Sequence, residues 1–363
     1  MTIVVISHKE REFGSKDIFS HLIRMPNTVV FNKTGYDPFI DFIKAYAIIC
    51  VLIGHTFPNL NYIGYGLWAG MQVPLFVLVQ AFHYLKKDNS IVSLKRIFWR
   101  IFFPFIFVEI IIFAILFWIY HYNLNELIHS YLIDGGTGPG SYYPWIYLQI
   151  ALLLPLFNIW MKQLSKCQLA VAFLVICEGL EFVASMFDFP DWIYRLLAVR
   201  YFFLIFLAWI WVEDGITINA KTTAISLLSM LSILYFEYYS INDEPLFYNT
   251  AWRFHRWPCY YFVAVLGTYL LCLLWQWISK SHFVETSVKI LARCSYEIFL
   301  IQMAVCATFP SLSFIHNEVF RITTRTVFIF AISLIGGYLF NRYYKALVVV
   351  SVFPFQALQT KKP

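Results

Sequence analysis

Three ionisable residues stand in one otherwise apolar stretch, Asp41-Phe42-Ile43-Lys44-Ala45-Tyr46-Ala47-Ile48-Ile49-Cys50-Val51-Leu52-Ile53-Gly54-His55. At roughly 100° per residue of α-helix, Asp41, Lys44 and His55 fall within about 60° of one another and share a face. Lys44 and His55 are separated by about 16 Å of helix axis, too far for direct contact, so they mark two depths of one path. Each type has a chemistry. A neutral imidazole takes a proton at physiological pH, a lysine holds an anion, and a carboxylate orients its neighbour. The bland readings are a histidine hydrogen-bonded near a span end and a local Asp41–Lys44 ion pair whose lysine stem snorkels to the cytoplasmic surface.

A second group follows in Lys95-Arg96-Ile97-Phe98-Trp99-Arg100-Ile101-Phe102-Phe103-Pro104. Three cations at the cytoplasmic start of a span serve as topology anchors. They also suit a phosphate-bearing ligand such as coenzyme A, because a guanidinium binds phosphate as a fork. Glu109 and the pair Glu178 and Glu181 are carboxylates inside apolar runs, the latter two on one helix face at i, i+3. They either flank a substrate or meet a basic partner.

The elements that must carry these residues belong to a membrane. The chain has 363 residues, 60% hydrophobic and 13% charged, with a mean hydropathy of +0.66, a balance no water-facing surface accommodates. Apolar runs long enough to cross a bilayer predict helices near 39–57, 67–84, 97–120, 142–161, 168–186, 196–212, 222–240, 258–279, 289–310 and 325–353. The expected fold is all-α, a polytopic bundle of about ten transmembrane helices, because irregular backbone cannot face lipid and the runs are too uniformly apolar for barrel strands. The domain reading is a cytoplasmic tail at 1–38, a membrane domain at 39–353 and a second cytoplasmic tail at 354–363.

Of the 27 Lys and Arg residues, 20 fall in segments between spans on one side and six on the other, with Lys44 inside the first span. That asymmetry puts both termini in the cytoplasm. The net charge of +6 is scattered between spans rather than gathered in a patch, which argues against nucleic acid. No cleaved signal peptide is read in the first 38 residues, the seven cysteines read as free thiols, and no metal site is indicated by histidine or carboxylate spacing. The longest exterior loop, 121–141, ends in Gly135-Gly136-Thr137-Gly138-Pro139-Gly140, which reads as turns.

These residues resemble the acyltransferase family 3 membrane proteins. Members typically open the first span with Asp-Gly-Leu-Arg-Gly and close it with Gly-His eleven residues after the arginine. Asp41-Phe42-Ile43-Lys44 and Gly54-His55 keep that spacing, with lysine for arginine. The basic run ending in Arg100 before Pro104 is similar to the family's start of span three. Gly138-Pro139-Gly140-Ser141-Tyr142-Tyr143, with Trp145 and Pro155, is similar to its start of span four. Ser295-Tyr296-Glu297-Ile298-Phe299-Leu300-Ile301-Gln302 is similar to a late Ser-x-x-Ile-Tyr-Leu-x-His element, with Gln302 for the histidine. Val79-Gln80-Ala81-Phe82 stands where many members have Ser-Gly-Phe.

The resemblance implies an O-acyltransferase in a bacterial inner (cytoplasmic) membrane. It would move an acyl group, acetyl first of all, from cytoplasmic acyl-coenzyme A to a hydroxyl of an envelope or exported polysaccharide, with no bound cofactor. His55 and Asp41 take the catalytic roles, Lys44, Arg96 and Arg100 the donor-binding ones, and Glu178, Glu181 and Trp145 lie toward the carbohydrate acceptor. The rival readings are a carrier that flips a lipid-linked sugar, whose path would be lined by spaced charges, and a polysaccharide polymerase. Thioester consumption separates the first from both.

Overall fold

The computed structural model describes residues 28–32, 35–57, 64–87, 94–187, 189–242, 257–310, 312 and 314–352. The predicted tails therefore lie largely outside the described residues. Eleven helices account for nearly all of the rest: α1 Pro38–Thr56, α2 Tyr65–Leu85, α3 Phe98–Trp118, α4 Leu124–Ile133, α5 Tyr143–Gln163, α6 Lys166–Met186, α7 Phe202–Glu213, α8 Ala220–Asn242, α9 Trp257–Ile278, α10 His282–Thr308 and α11 Glu318–Val352. A short strand β1, Thr28–Val29, pairs antiparallel with β2, Ile216–Thr217. Short helical turns cover Leu94–Ile97 and Asp191–Leu196.

Each of the ten predicted spans falls on a helix. Among the described residues eight helices are long and apolar enough to cross a bilayer: α1, α2, α3, α5, α6, α9, α10 and α11. The count of ten is not reached on length and composition, for two physical reasons. α7 has only 12 residues, because the chain bends at Leu197 and runs through a 3₁₀ turn at Ala198–Tyr201 first. In α8 the apolar stretch ends at Tyr235, diluted by Thr222, Thr223, Ser226, Ser229 and Ser232. Charge also moves one boundary: α10 begins seven residues before its predicted start, on a turn carrying the Glu285–Lys289 ion pair.

α1 is the centre of the bundle. Of its span 61% is buried, against 17% for α11, as expected of a helix that is apolar around most of its circumference. One apolar cluster joins Phe39, Ile40 and Ile43 of α1 to α2, α5, α6, α7 and α9, while Ile48, Val51 and Leu52 join a second cluster with α3 and α10. α7 is buried continuously from Phe202 to Ala208, and Trp211 Nε1 donates to Ala264 O of α9 at 2.8 Å. The chemistry-bearing face of α1 is thereby held between α2 on one side and α10 on the other.

Candidate active site

Pro38, which needs no N–H partner at a helix start, opens α1. Asp37 caps it: Oδ1 accepts from Phe39 N and Oδ2 from Asn32 N, both at 3.0 Å. One turn on, Asp41 Oδ1 pairs with Lys44 Nζ at 2.8 Å and Oδ2 accepts from the Tyr36 hydroxyl at 2.8 Å. Burial, reinforced by Asp41, holds the Tyr36 phenol above its ordinary value, so it stays a donor. Asp41 is thus occupied in orienting Lys44. At the far end of α1, a Cβ on Gly54 would collide with the Tyr65 hydroxyl. Glycine before His55 is what lets α2 approach.

Between these two ends lies a cavity of about 620 Å³, walled by α1, α2, α3, α5, α10, α11 and the loop before α5. Lys44 and His55 both line it, so the path predicted from their spacing is one continuous space. Its lining also holds Arg100, Arg293 and Glu297, and His83 near Lys44. Its His55 end is lined by Gln72, Gly140, Tyr142, Tyr143 and Phe299. The cavity therefore carries cations and aromatic rings together, with Trp99, Tyr147, Tyr296 and Tyr344 lining it as well as Tyr142, Tyr143 and Phe299.

Arg100 reaches the cavity because α3 starts with a π-helical turn, Phe98–Phe102. Pro104 causes it: with no N–H it cannot bond the carbonyl four residues back, and its ring crowds that turn. Two carbonyls of the widened turn are met by tyrosines of other helices, Ile101 O by the Tyr296 hydroxyl at 2.7 Å and Trp99 O by the Tyr344 hydroxyl at 2.5 Å. α10 and α11 thus lock the turn that presents the arginine.

The stretch read as the longest exterior loop carries a helix of its own and reaches the site. Residues 124–133 form α4, capped by Asn123 Oδ1 on Asn125 N at 2.9 Å with Glu126 in the first turn. The glycines after it enter the bundle. Glu109 Oε2 of α3 accepts from Thr137 N at 3.2 Å and Thr137 Oγ1 at 2.9 Å, and the Tyr131 hydroxyl donates to Glu109 O at 2.7 Å. Ser141 Oγ donates to Gly136 O at 3.2 Å and Trp145 Nε1 to Gly135 O at 2.8 Å. Irregular backbone survives at membrane depth only when satisfied in this way. Gly138 and Gly140 sit at φ of +92° and +90°, where a side chain is strained. The loop ends against His55: a Cβ on Gly140 would lie 3.8 Å from His55 Cε1.

Of the predicted site residues, the structure brings Lys44, Arg100 and His55 to one cavity, with Asp41 behind Lys44. The Arg96 side chain lies outside the described residues. The other three stand apart from the lining. Glu178 Oε2 accepts from Trp257 Nε1 at 2.8 Å, Glu181 Oε1 accepts from the buried Tyr194 hydroxyl at 3.1 Å, and Trp145 braces the glycine loop. Four contributors were hidden among other signals. Arg293 reads as one more anchoring cation. Gln72, Gln80 and His83 recur at helical spacing on the cavity face of α2, a polar stripe in an apolar helix that could have been read as a lined path.

The fold and the cavity define a helical multi-pass membrane protein with an internal space that both Lys44 and His55 line. Residues 37–342 match the family model of the acyltransferase domain, type 3. The chain belongs to that family, and it is a membrane acyltransferase. No curated protein and no solved structure shows significant similarity to it.

Proposed function

We propose that the protein is an O-acyltransferase that takes an acyl group, acetyl in the first instance, from cytoplasmic acyl-coenzyme A and places it on a hydroxyl of an envelope or exported polysaccharide. The observation that carries the reading is the single cavity joining Lys44, Arg100 and Arg293 to His55. These three cations suit the phosphates of the donor. The long arm of the donor then runs up the cavity, and its thioester stands near His55. There the acceptor hydroxyl attacks the thioester carbonyl while Nε2 of His55 takes its proton. The tetrahedral intermediate collapses, the carbon–sulfur bond breaks, and the coenzyme A thiolate leaves with the proton returned by the imidazolium.

The donor side is the cytoplasm in this reading, and ten crossings fit it. β1 and β2 pair, so both stand on one side of the membrane and an even number of crossings separates them. Helices α1, α2, α3, α5 and α6 supply five, and α7 supplies the sixth. With α8 also crossing, both termini fall on the side that carries the excess of Lys and Arg.

Purified protein in nanodiscs, given acetyl-coenzyme A and extracted envelope glycans, should release free thiol only when both are present. No release across several acyl donors and glycans would turn the reading toward the sugar carrier. Arg100→Ala should raise KM for the donor roughly tenfold or more, as loss of a hydrogen bond to a charged group does, and leave kcat nearly unchanged. A fall in kcat at constant KM would show that Arg100 serves the chemistry rather than the phosphates.

A further inference from the structure

Gln302 is fully buried in α10, away from the cavity lining, although an amide there costs free energy unless it is bonded. Its Nε2 donates to Cys306 Sγ at 3.1 Å, while its Oε1 is buried without a partner. On α1, Nδ1 of His55 is likewise buried without a partner, although the ring itself lines the cavity. The two side chains stand against each other with no bond formed between these two atoms, and the same stretch of α10 reaches the loop at His55: a Cβ on Gly140 would meet the Phe299 ring and lie 3.8 Å from His55 Cε1. One orphan can donate and the other only accept, so a single bond between them would satisfy both.

We infer that Gln302 is a positioning residue: its Oε1 accepts Nδ1–H of His55, which fixes the tautomer whose Nε2 lone pair faces the cavity. A neutral imidazole carries one N–H, so engaging Nδ1 leaves Nε2 as the base. The packing supports a held geometry. Phe299, one turn before Gln302, lines the cavity with His55, and the next residue, Met303, meets the glycine loop: a Cβ on Gly138 would lie 2.8 Å from its carbonyl oxygen. The catalytic consequence rests on the acyl-transfer reading; the bond itself does not.

The test is nitrogen NMR of ¹⁵N-histidine-labelled protein in nanodiscs without substrate, with His55 assigned among the nine histidines by its absence from His55→Asn. The wild type should show a protonated Nδ1 and a bare Nε2. Gln302→Leu should lose that preference and lower kcat roughly 10- to 100-fold, the range for removing a group that orients a histidine, with KM for the donor unchanged. Gln302→Glu, which keeps an acceptor oxygen, should retain the tautomer, and it serves as the folded comparison if the leucine variant is unstable. A wild-type signal with Nδ1 bare, or a leucine variant with unaltered tautomer and turnover, overturns the inference. Thiol release together with the wrong tautomer overturns it alone, whereas the right tautomer in a protein that never releases thiol supports the bond and sinks the acyl-transfer reading.

Discussion

His55→Ala protein should insert, purify and melt like the wild type and lose acyl transfer roughly 10²- to 10⁴-fold, the contribution of a positioned general base. The structural cost is small because the imidazole borders an existing cavity, so truncation enlarges a space rather than opening a void in closed packing. Alanine is also the best helix former, and position 55 lies in the last turn of α1. The catalytic cost is large because Gln72, Gly140, Tyr142, Tyr143 and Phe299 carry no base, which leaves His83, near Lys44, and Glu297 as the other lining side chains able to take a proton. His55→Gln, which keeps polarity without a base, should be as inactive. The readout is thiol release from acetyl-coenzyme A beside the thermal midpoint in the same detergent. Activity in the alanine variant within about threefold of wild type would remove His55 from the chemistry.

The positions of the helices and the outline of the path were legible in the sequence because both rest on local periodicity. Hydropathy over a span-length window locates a helix whatever its neighbours are, and an i, i+3, i+14 pattern puts Asp41, Lys44 and His55 on one face of α1 without tertiary knowledge. The rest depends on which helix meets which. Glu178 and Glu181 share a face as predicted, yet nothing in their spacing says that Trp257 and Tyr194 stand opposite them rather than a substrate. Arg293 looks the same in sequence whether it anchors a helix or faces a cavity. Residues 121–141 show the limit best. The Asn123-Leu124-Asn125-Glu126 run carries a helix-start signature, so α4 was readable. The entry of the following glycines into the bundle was not, because it depends on Glu109, 28 residues upstream of Thr137.

That loop yields the second large effect, at Gly138. Alanine there must adopt a φ of +92°, at roughly 1–2 kcal/mol, and its Cβ would stand 2.8 Å from the carbonyl oxygen of Met303. The carbonyl belongs to α10, packed on α1, α3 and α11, so the helix cannot give and the loop must move. Gly140, two residues on, borders His55, and a displacement of about 1 Å at a reacting centre costs on the order of 10²-fold in rate. Gly138→Ala should therefore lower kcat about 100-fold while KM for the donor holds, since Lys44 lies about 16 Å along α1 from His55. Thr137→Val, which removes the hydroxyl bond to Glu109 but leaves the backbone one, should move activity in the same direction by less. Gly179→Ala is the matched control: nothing lies within 4 Å of its Cβ position in α6, and alanine there improves helix propensity by up to about 1 kcal/mol. If Gly138→Ala and Gly179→Ala turn over alike, the loop is a surface turn after all and has no part in setting the geometry around His55. A loss confined to the Gly138 variant, with the thermal midpoint lowered by only a few degrees, ties the rate to the position of this backbone rather than to the stability of the bundle.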